Sequence, residues 1–206
     1  MAAGTVQTLA VLLGAAHAVV LVLGSRWARP GRVAPVRASL HPPLAVRGGY
    51  AALVVPLLYP AVVVVSPGWG YEGWSNWSSP IDVALQGAGL GVWAAGMIVL
   101  VWAAKDLGRY LSVDGATEDH ELVASGPYRY IRHPVYGSFT AIAAGAGLVF
   151  RSYLLVGVAA VWLVAARWWV RTEEALLSSP DGLGDAYRSY SERTGRFLPR
   201  LRQLRR

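Results

Sequence analysis

The sequence contains no cysteine and few charges: Asp, Glu, Lys and Arg together make up 15% of its 206 residues. Without cysteine the chain cannot form a disulfide scaffold, a zinc–thiolate site, an iron–sulfur cluster or a catalytic thiol. Soluble domains carry about a quarter charged residues, whereas here 54% of the residues are hydrophobic and the mean hydropathy is +0.39. This composition excludes intrinsic disorder and indicates a small integral membrane protein.

Five apolar runs account for this hydrophobicity. A membrane-spanning helix needs roughly 17–25 mostly apolar residues. We predict three N-terminal membrane helices and then two shorter ones that form a tight hairpin, at Thr5–Leu23, Tyr50–Val65, Val83–Ala104, Tyr136–Phe150 and Tyr153–Ala166. The expected fold is all-α, a polytopic membrane bundle of about five helices in a single domain, 1–206. Residues 1–104 hold the first three helices, and 105–206 hold the hairpin and a basic tail.

Basic residues lie mainly on one side of the predicted helices. The connector 24–49 carries five arginines and more follow the third and fifth helices, whereas the connector 66–80 has no Lys or Arg. Cytoplasmic connectors of membrane proteins carry the excess of positive charge. We therefore expect the N-terminus outside and the C-terminus in the cytoplasm, with the first helix retained as an anchor because no basic segment precedes it. The Ala-, Val- and Arg-rich composition favours a bacterial inner membrane.

Small residues at a spacing of four indicate where the helices pack. Gly87 and Gly91 form such a pair in the third predicted helix, and Gly137, Ala141 and Gly145 continue the pattern in the fourth. The segment 87–91 lies inside a long apolar helix, not between a strand and a helix, which disfavours a nucleotide-binding loop. No other segment has the strand, glycine loop and helix of a Rossmann domain.

Two polar stretches, 119–136 and 171–174, flank the predicted hairpin. Pro134 fits the first position of the fourth helix, with His133 just before it. Because the hairpin is short, we expect the two stretches to meet in one pocket at the inner leaflet, at a helix N-terminus that favours anions. Taken alone, Arg132 fits binding to a lipid phosphate and Glu174 a helix-surface ion pair. The spacing of the histidines predicts no metal site.

Taken together, five motifs occur in a specific order: Leu107-Gly-Arg109, Asp119-His-x-Leu-Val123, Ser125-Gly-x-Tyr-x-x-x-Arg-His-Pro-x-Tyr136, Glu173-Glu174, and Gly184-x-x-Tyr-x-x-Tyr190-x-x-Arg193 with Leu198-Pro199. This order resembles the isoprenylcysteine carboxyl methyltransferase family, within the wider group of phospholipid methyltransferases, over about 105–201. The resemblance implies S-adenosylmethionine as cofactor, held in a C-terminal pocket that faces the cytosol. It also implies a lipophilic methyl acceptor, either an isoprenylcysteine-like carboxylate or a lipid.

The resemblance also implies roles for single residues. Arg132 and Arg193 correspond to arginines that face the acceptor carboxylate, and Glu173 to an acidic residue near the reacting centre. The implied cofactor contacts are His120, Leu122, Val123, Tyr128, His133, Tyr136 and Glu174. Which of the two adjacent glutamates takes which role stays open. The expected partners are the lipid bilayer and a lipophilic or lipidated substrate, and nucleic acid is not expected.

Two other functions are compatible with a membrane bundle of this kind. An NADPH-dependent membrane reductase of the sterol-reductase type has a related helical fold and a C-terminal nucleotide site, but it carries additional helices and a longer C-terminal region. A non-catalytic lipid-binding scaffold is the second alternative. It is disfavoured because the charged motif residues Arg132, His133, Glu173 and Glu174 are all present.

Overall fold

A computed structural model describes residues 3–27, 43–69, 79–108 and 121–200, and within these ranges the chain is helical. The six α-helices are α1 (Ala3–Trp27), α2 (Pro43–Val65), α3 (Ser79–Leu107), α4 (Pro134–Phe150), α5 (Tyr153–Leu177) and α6 (Asp185–Arg193). The described residues contain no β-strand beyond an isolated parallel bridge between Ile131 and Gly195. The all-α prediction is confirmed, and α6 adds a helix to the five that were expected.

The observed helices do not all end where the apolar runs of the sequence end. α4 begins at Pro134 with His133 as its N-cap residue, as predicted. α5 continues well beyond Ala166, because arginines that interrupt an apolar run do not interrupt backbone hydrogen bonding. It ends at Leu177, before a turn that Ser178 begins. The glutamate pair therefore lies in the last turns of α5 and not beyond its end.

Two helices are long and apolar enough to cross a membrane by length and composition, Ile81–Leu107 and Tyr153–Leu177. Three further apolar helices are shorter, Thr5–Val20, Val54–Val65 and Pro134–Phe150. Large apolar side chains on the long helices face outward; Val164, for example, is 70% exposed. These features are compatible with a membrane protein, and the orientation expected from the arginines stays a prediction.

α3 and α4 approach each other closely at Gly89 and Gly145. A Cβ atom added at Gly89 would lie 2.8 Å from the Gly145 carbonyl oxygen, and one added at Gly145 would lie 2.5 Å from the Trp93 amide nitrogen. The prediction that Gly87 and Gly91 pack against a neighbouring helix was wrong, since a Cβ at either would meet nothing within 4 Å. Each lies two residues from Gly89, about 200° around the helix, and so faces away from α4.

A two-residue turn joins α4 to α5 and is anchored by polar contacts. Arg151 ends α4 in the left-handed conformation, with φ of 53°, and Ser152 begins α5 by accepting a hydrogen bond from Leu155 N. The Arg151 guanidinium lies 3.2 Å from Asp82 in the first turn of α3. The Tyr59 hydroxyl of α2 donates to Ser152 Oγ at 2.7 Å. These contacts hold the hairpin in place and return α5 to the end where α4 begins.

Candidate functional site

The backbone before α4 runs beside the backbone after α6. Gly195 N donates to Tyr130 O at 3.0 Å, Arg132 N donates to Gly195 O at 2.8 Å, and His133 N donates to Arg196 O at 3.1 Å. A Cβ at Gly195 would overlap the carbonyl of Leu198, so the turn that follows α6 requires glycine. This parallel pairing places Arg132, His133 and Arg196 side by side, facing the last turns of α5.

Glu174 is the centre of the resulting charged cluster. Its Oε1 accepts a hydrogen bond from Arg132 Nε at 2.8 Å and lies 3.1 Å from His133 Nε2. Its Oε2 accepts from Arg196 Nε at 3.0 Å and also from Arg196 Nη2. Since the Glu174 side chain is only 13% exposed, its negative charge needs these partners. The same hydrogen bonds raise the pKa of the Arg196 guanidinium.

Glu173 differs from Glu174 because one of its carboxylate oxygens has no partner among the described residues. Its Oε2 accepts a hydrogen bond from the Tyr136 hydroxyl at 3.2 Å, and His133 Nδ1 lies 3.8 Å away from the same oxygen. Its side chain is 31% exposed. Within the described ranges, Oε1 of Glu173 has neither a hydrogen bond nor an ion-pair partner. One carboxylate of the pair is thus fully engaged, and the other keeps an accessible acceptor.

Arg132 also holds the end of α6. Its Nη1 donates to the carbonyl oxygens of Ser191, at 2.8 Å, and of Thr194. A guanidinium at this position satisfies carbonyls that a helix C-terminus leaves unpaired, and its positive charge suits the negative end of the helix dipole. Its remaining nitrogen, Nη2, has no hydrogen-bond partner among the residues that the structure describes.

Three tyrosines pack beside the charged cluster. The Tyr190 hydroxyl donates to the backbone oxygen of Tyr128 at 2.7 Å. The Tyr187 ring lies edge-on to Tyr190, with centroids 5.8 Å apart, in a buried cluster that includes Leu177 and is flanked by Leu122. Burial raises the pKa of Tyr190 to about 12 and also raises the pKa values of Tyr128 and Tyr187. These phenols therefore remain neutral at physiological pH.

Aromatic rings close the cluster on the side of α5. Tyr136 stacks on Trp162 with centroids 6.0 Å apart, and Trp162 Nε1 donates to the Tyr136 carbonyl at 3.2 Å. The His133 ring meets Tyr136 edge-on at 5.9 Å. These rings pack beside His133, whose side chain is 4% exposed.

The structure distributes the residues predicted for the site as follows. It brings Arg132, His133, Tyr136, Glu173 and Glu174 into one cluster. Leu122 and Tyr128 lie beside it through the tyrosine cluster, and Val123 is half-buried, next in sequence to Leu122. His120 falls outside the described residues.

Arg193, which is predicted to face the acceptor carboxylate, lies apart from the contacts of Glu174, and its role stays a prediction. Arg193 is exposed on α6, where its Nε donates to Ser189 O at 3.1 Å, and Arg196 makes the contact with Glu174. Sequence reasoning missed Arg196, and the only signal for it was Gly195, a turn-forming residue just before it. The described part of the chain contains no group of three His, Asp or Glu side chains that could hold a metal ion.

Comparison with known proteins places this cluster in a family context. Residues 85–179 match the family model for phospholipid methyltransferase. The match runs from the first turns of α3 to just past the end of α5, and so includes the glutamate pair and Arg132. The cobalt-zinc-cadmium resistance protein CzcN of Cupriavidus metallidurans is 29% identical over 143 residues, which cover 68% of this chain but 59% of CzcN. The chain is thus similar to phospholipid methyltransferases over just under half of its length.

Proposed function

We propose that this protein transfers a methyl group from S-adenosylmethionine to a lipophilic acceptor at the cytosolic face of a bacterial inner membrane. One observation carries the proposal: five residues of the cluster, Arg132, His133, Tyr136, Glu173 and Glu174, lie within the segment that matches phospholipid methyltransferases. The resemblance to isoprenylcysteine carboxyl methyltransferases supplies the acceptor class, an isoprenylcysteine-like carboxylate or a membrane lipid.

The open hydrogen-bonding groups of the cluster fit the amino-acid end of this cofactor. That end carries an ammonium group and a carboxylate, which pair well with a glutamate and with a guanidinium. Within the cluster, Glu173 Oε1 and Arg132 Nη2 have no partner among the described residues, and Arg196 Nη1, on a more exposed side chain, has none either. We therefore assign Glu173 to the ammonium group. Glu174 becomes the residue that positions Arg132, and this proposal chooses between the two glutamates, whose roles the resemblance left open.

The contribution of the protein to this reaction is alignment. When bound, S-adenosylmethionine would supply a methyl group on a sulfonium: the acceptor forms the new bond to that carbon as the carbon–sulfur bond breaks, and S-adenosylhomocysteine is released. An acceptor carboxylate is already deprotonated and needs no general base. Holding two reactants in line can contribute up to roughly 7–11 kcal/mol. The ion pairs of Arg132 fix its guanidinium for this purpose, while Tyr136 and Trp162 exclude water.

Calorimetry on the purified full chain in detergent tests the cofactor assignment. Wild-type protein is expected to bind S-adenosylmethionine, and Glu173→Gln to weaken that binding about tenfold or more. Glu192→Gln is the matched control, because Glu192 is exposed on α6. Absence of binding by the wild type would contradict the proposal. NADPH binding in its place would favour the reductase, and a scaffold would bind neither.

The acceptor class is tested with membranes that contain the protein and a methyl-labelled donor. Label is expected in the lipid-soluble fraction, and its chemistry separates the two acceptor types. A methyl ester on a carboxylate releases labelled methanol in alkali, whereas a methyl group on an amine does not. Membranes that contain Glu173→Gln provide the background. Equal labelling with and without the protein would rule out methyl transfer to a lipophilic acceptor.

A further inference from the structure

The hydroxyl of Tyr187 is buried without a hydrogen-bond partner. The residue is 3% exposed, and among the described residues its oxygen has no donor or acceptor within reach. Tyr190, one turn further along α6, is equally buried but donates to the Tyr128 carbonyl at 2.7 Å. A buried hydroxyl that makes no hydrogen bond costs free energy, because it has given up its bonds to water. An orphaned hydroxyl therefore points to a ligand group that completes it.

Tyr187 lies directly beside the charged cluster. Its ring packs in one buried cluster with Leu177 of α5, and Leu177 lies one helical turn from Glu174 on the same face. Burial raises the pKa of the Tyr187 phenol, the charges of Glu174 and Glu173 raise it further, and the charge of Arg132 opposes them. Because the phenol stays protonated, it can offer a hydrogen to an acceptor.

The groups that the cluster leaves open form a specific set. Arg132 Nη2 and the Tyr187 hydroxyl are donors, and Glu173 Oε1 is an anionic acceptor. Glu174 is not available to a ligand, since it uses both oxygens on Arg132, His133 and Arg196; Arg196 keeps Nη1 open, on a side chain that is 38% exposed. Two donors beside one carboxylate complement a zwitterionic α-amino acid, whose carboxylate takes the donors and whose ammonium group takes the acceptor.

We propose that Tyr187 is a cofactor-binding residue that donates its hydroxyl to the α-carboxylate of S-adenosylmethionine, together with Nη2 of Arg132. This inference rests on the proposed function and adds a residue for which the sequence analysis proposed no role. It also assigns the open nitrogen of Arg132 to the cofactor and not to the acceptor.

Two isosteric substitutions separate a ligand-binding hydroxyl from a structural one. Tyr187→Phe removes a hydroxyl that has no partner, so the melting temperature of the ligand-free protein should stay the same or rise. Tyr190→Phe removes a satisfied hydroxyl and should lower it. Each variant is titrated with S-adenosylmethionine and with decarboxylated S-adenosylmethionine, which keeps the ammonium and sulfonium groups and lacks only the carboxylate.

The expected result is a selective loss. Wild-type protein should prefer S-adenosylmethionine to its decarboxylated form. Tyr187→Phe should weaken binding of S-adenosylmethionine about tenfold, since a hydrogen bond to a charged group contributes about this factor to affinity. Binding of the decarboxylated form should stay unchanged. Tyr190→Phe should keep the wild-type preference between the two compounds.

Three results would overturn the inference while leaving the proposed function in place. They are equal binding of both compounds by wild-type protein, full affinity of Tyr187→Phe for S-adenosylmethionine, and an equal loss of both compounds in that variant. A wild-type protein that binds neither compound would instead reject the proposed function, and the role of Tyr187 with it.

Discussion

Nε of Arg132 lies 2.8 Å from Oε1 of Glu174, although 42 positions separate the two residues in the sequence. The contact joins the segment before α4 to the last turns of α5. Both side chains are largely buried, at 8% and 13% exposure. Because Arg132 also binds carbonyls at the end of α6, a single guanidinium holds three parts of the chain together. The cluster is therefore a structural junction as well as a candidate site.

Replacing Glu174 tests its role as the positioning residue. Glu174→Gln removes the charge that pairs with Arg132 and Arg196, and breaking a buried ion pair from one side costs about 3–5 kcal/mol. We expect a clearly lower melting temperature in detergent, with Glu192→Gln as the unaffected control. If Glu174→Gln melted like the wild type but failed to bind S-adenosylmethionine, Glu174 would be a direct ligand contact.

Replacing Arg132 by lysine should loosen α6. Lysine has one nitrogen and cannot reach Glu174 and the carbonyls of Ser191 and Thr194 together. We expect amide hydrogen exchange in α6 to accelerate about tenfold or more, because local opening there costs less. Arg193→Lys is the matched control on the exposed face of α6. Unchanged exchange in Arg132→Lys would show that other contacts secure this helix.

Tyr190 should contribute stability that depends on pH. Its hydrogen bond to the Tyr128 carbonyl makes Tyr190→Phe less stable by about 1–3 kcal/mol at neutral pH. Burial raises the pKa of Tyr190 from its ordinary value of 10 to about 12, so the folded state favours the neutral phenol. This contribution is complete below pH 10 and is lost as the pH rises through about 12. Melting curves across this interval should show the wild type and Tyr190→Phe converging, and a constant gap would contradict the assignment.

Two glycines of α3 should respond oppositely to alanine. A Cβ at Gly89 would lie 2.6 Å from the Cβ of Leu148, so Gly89→Ala must separate α3 from α4 and should cost about 1–3 kcal/mol. Gly91 faces open space, and alanine there should leave stability unchanged or raise it slightly through helix propensity. The melting temperatures of the two variants provide the comparison. Similar values would show that the close contact at Gly89 does not limit stability.

The parts of the fold that follow from local properties could be predicted from the sequence. Apolar length gave the five long helices, and proline chemistry gave the start of α4 at Pro134. α6 escaped prediction because the segment Asp185–Arg193 has no apolar run and buries only Tyr187 and Tyr190. Its position depends on Arg132 and on backbone pairing with a distant segment, which no local pattern encodes.

Packing between distant segments also explains why the sequence did not single out Arg196 or Gly89. Arg193 and Arg196 are equally basic and three positions apart, but helix α6 ends between them. The first faces solvent from the last turn of α6, and the second is carried toward Glu174 by the pairing of Gly195 with the segment before α4. Gly87, Gly89 and Gly91 are likewise indistinguishable by composition, and the rotation of α3 decides which of them meets α4.

At the Gly89–Gly145 crossing, one helix backbone rests directly on the other, with Trp93 close beside it. Such a contact fixes the register of the two helices, because moving α4 along its axis by a single residue would bring a side chain into the main chain of α3. The register of α4 against α3, and with it the position of His133 at the start of α4, is therefore fixed at this crossing and not by the charged cluster. Residues of the cluster can accordingly be exchanged while the alignment of the two helices stays the same.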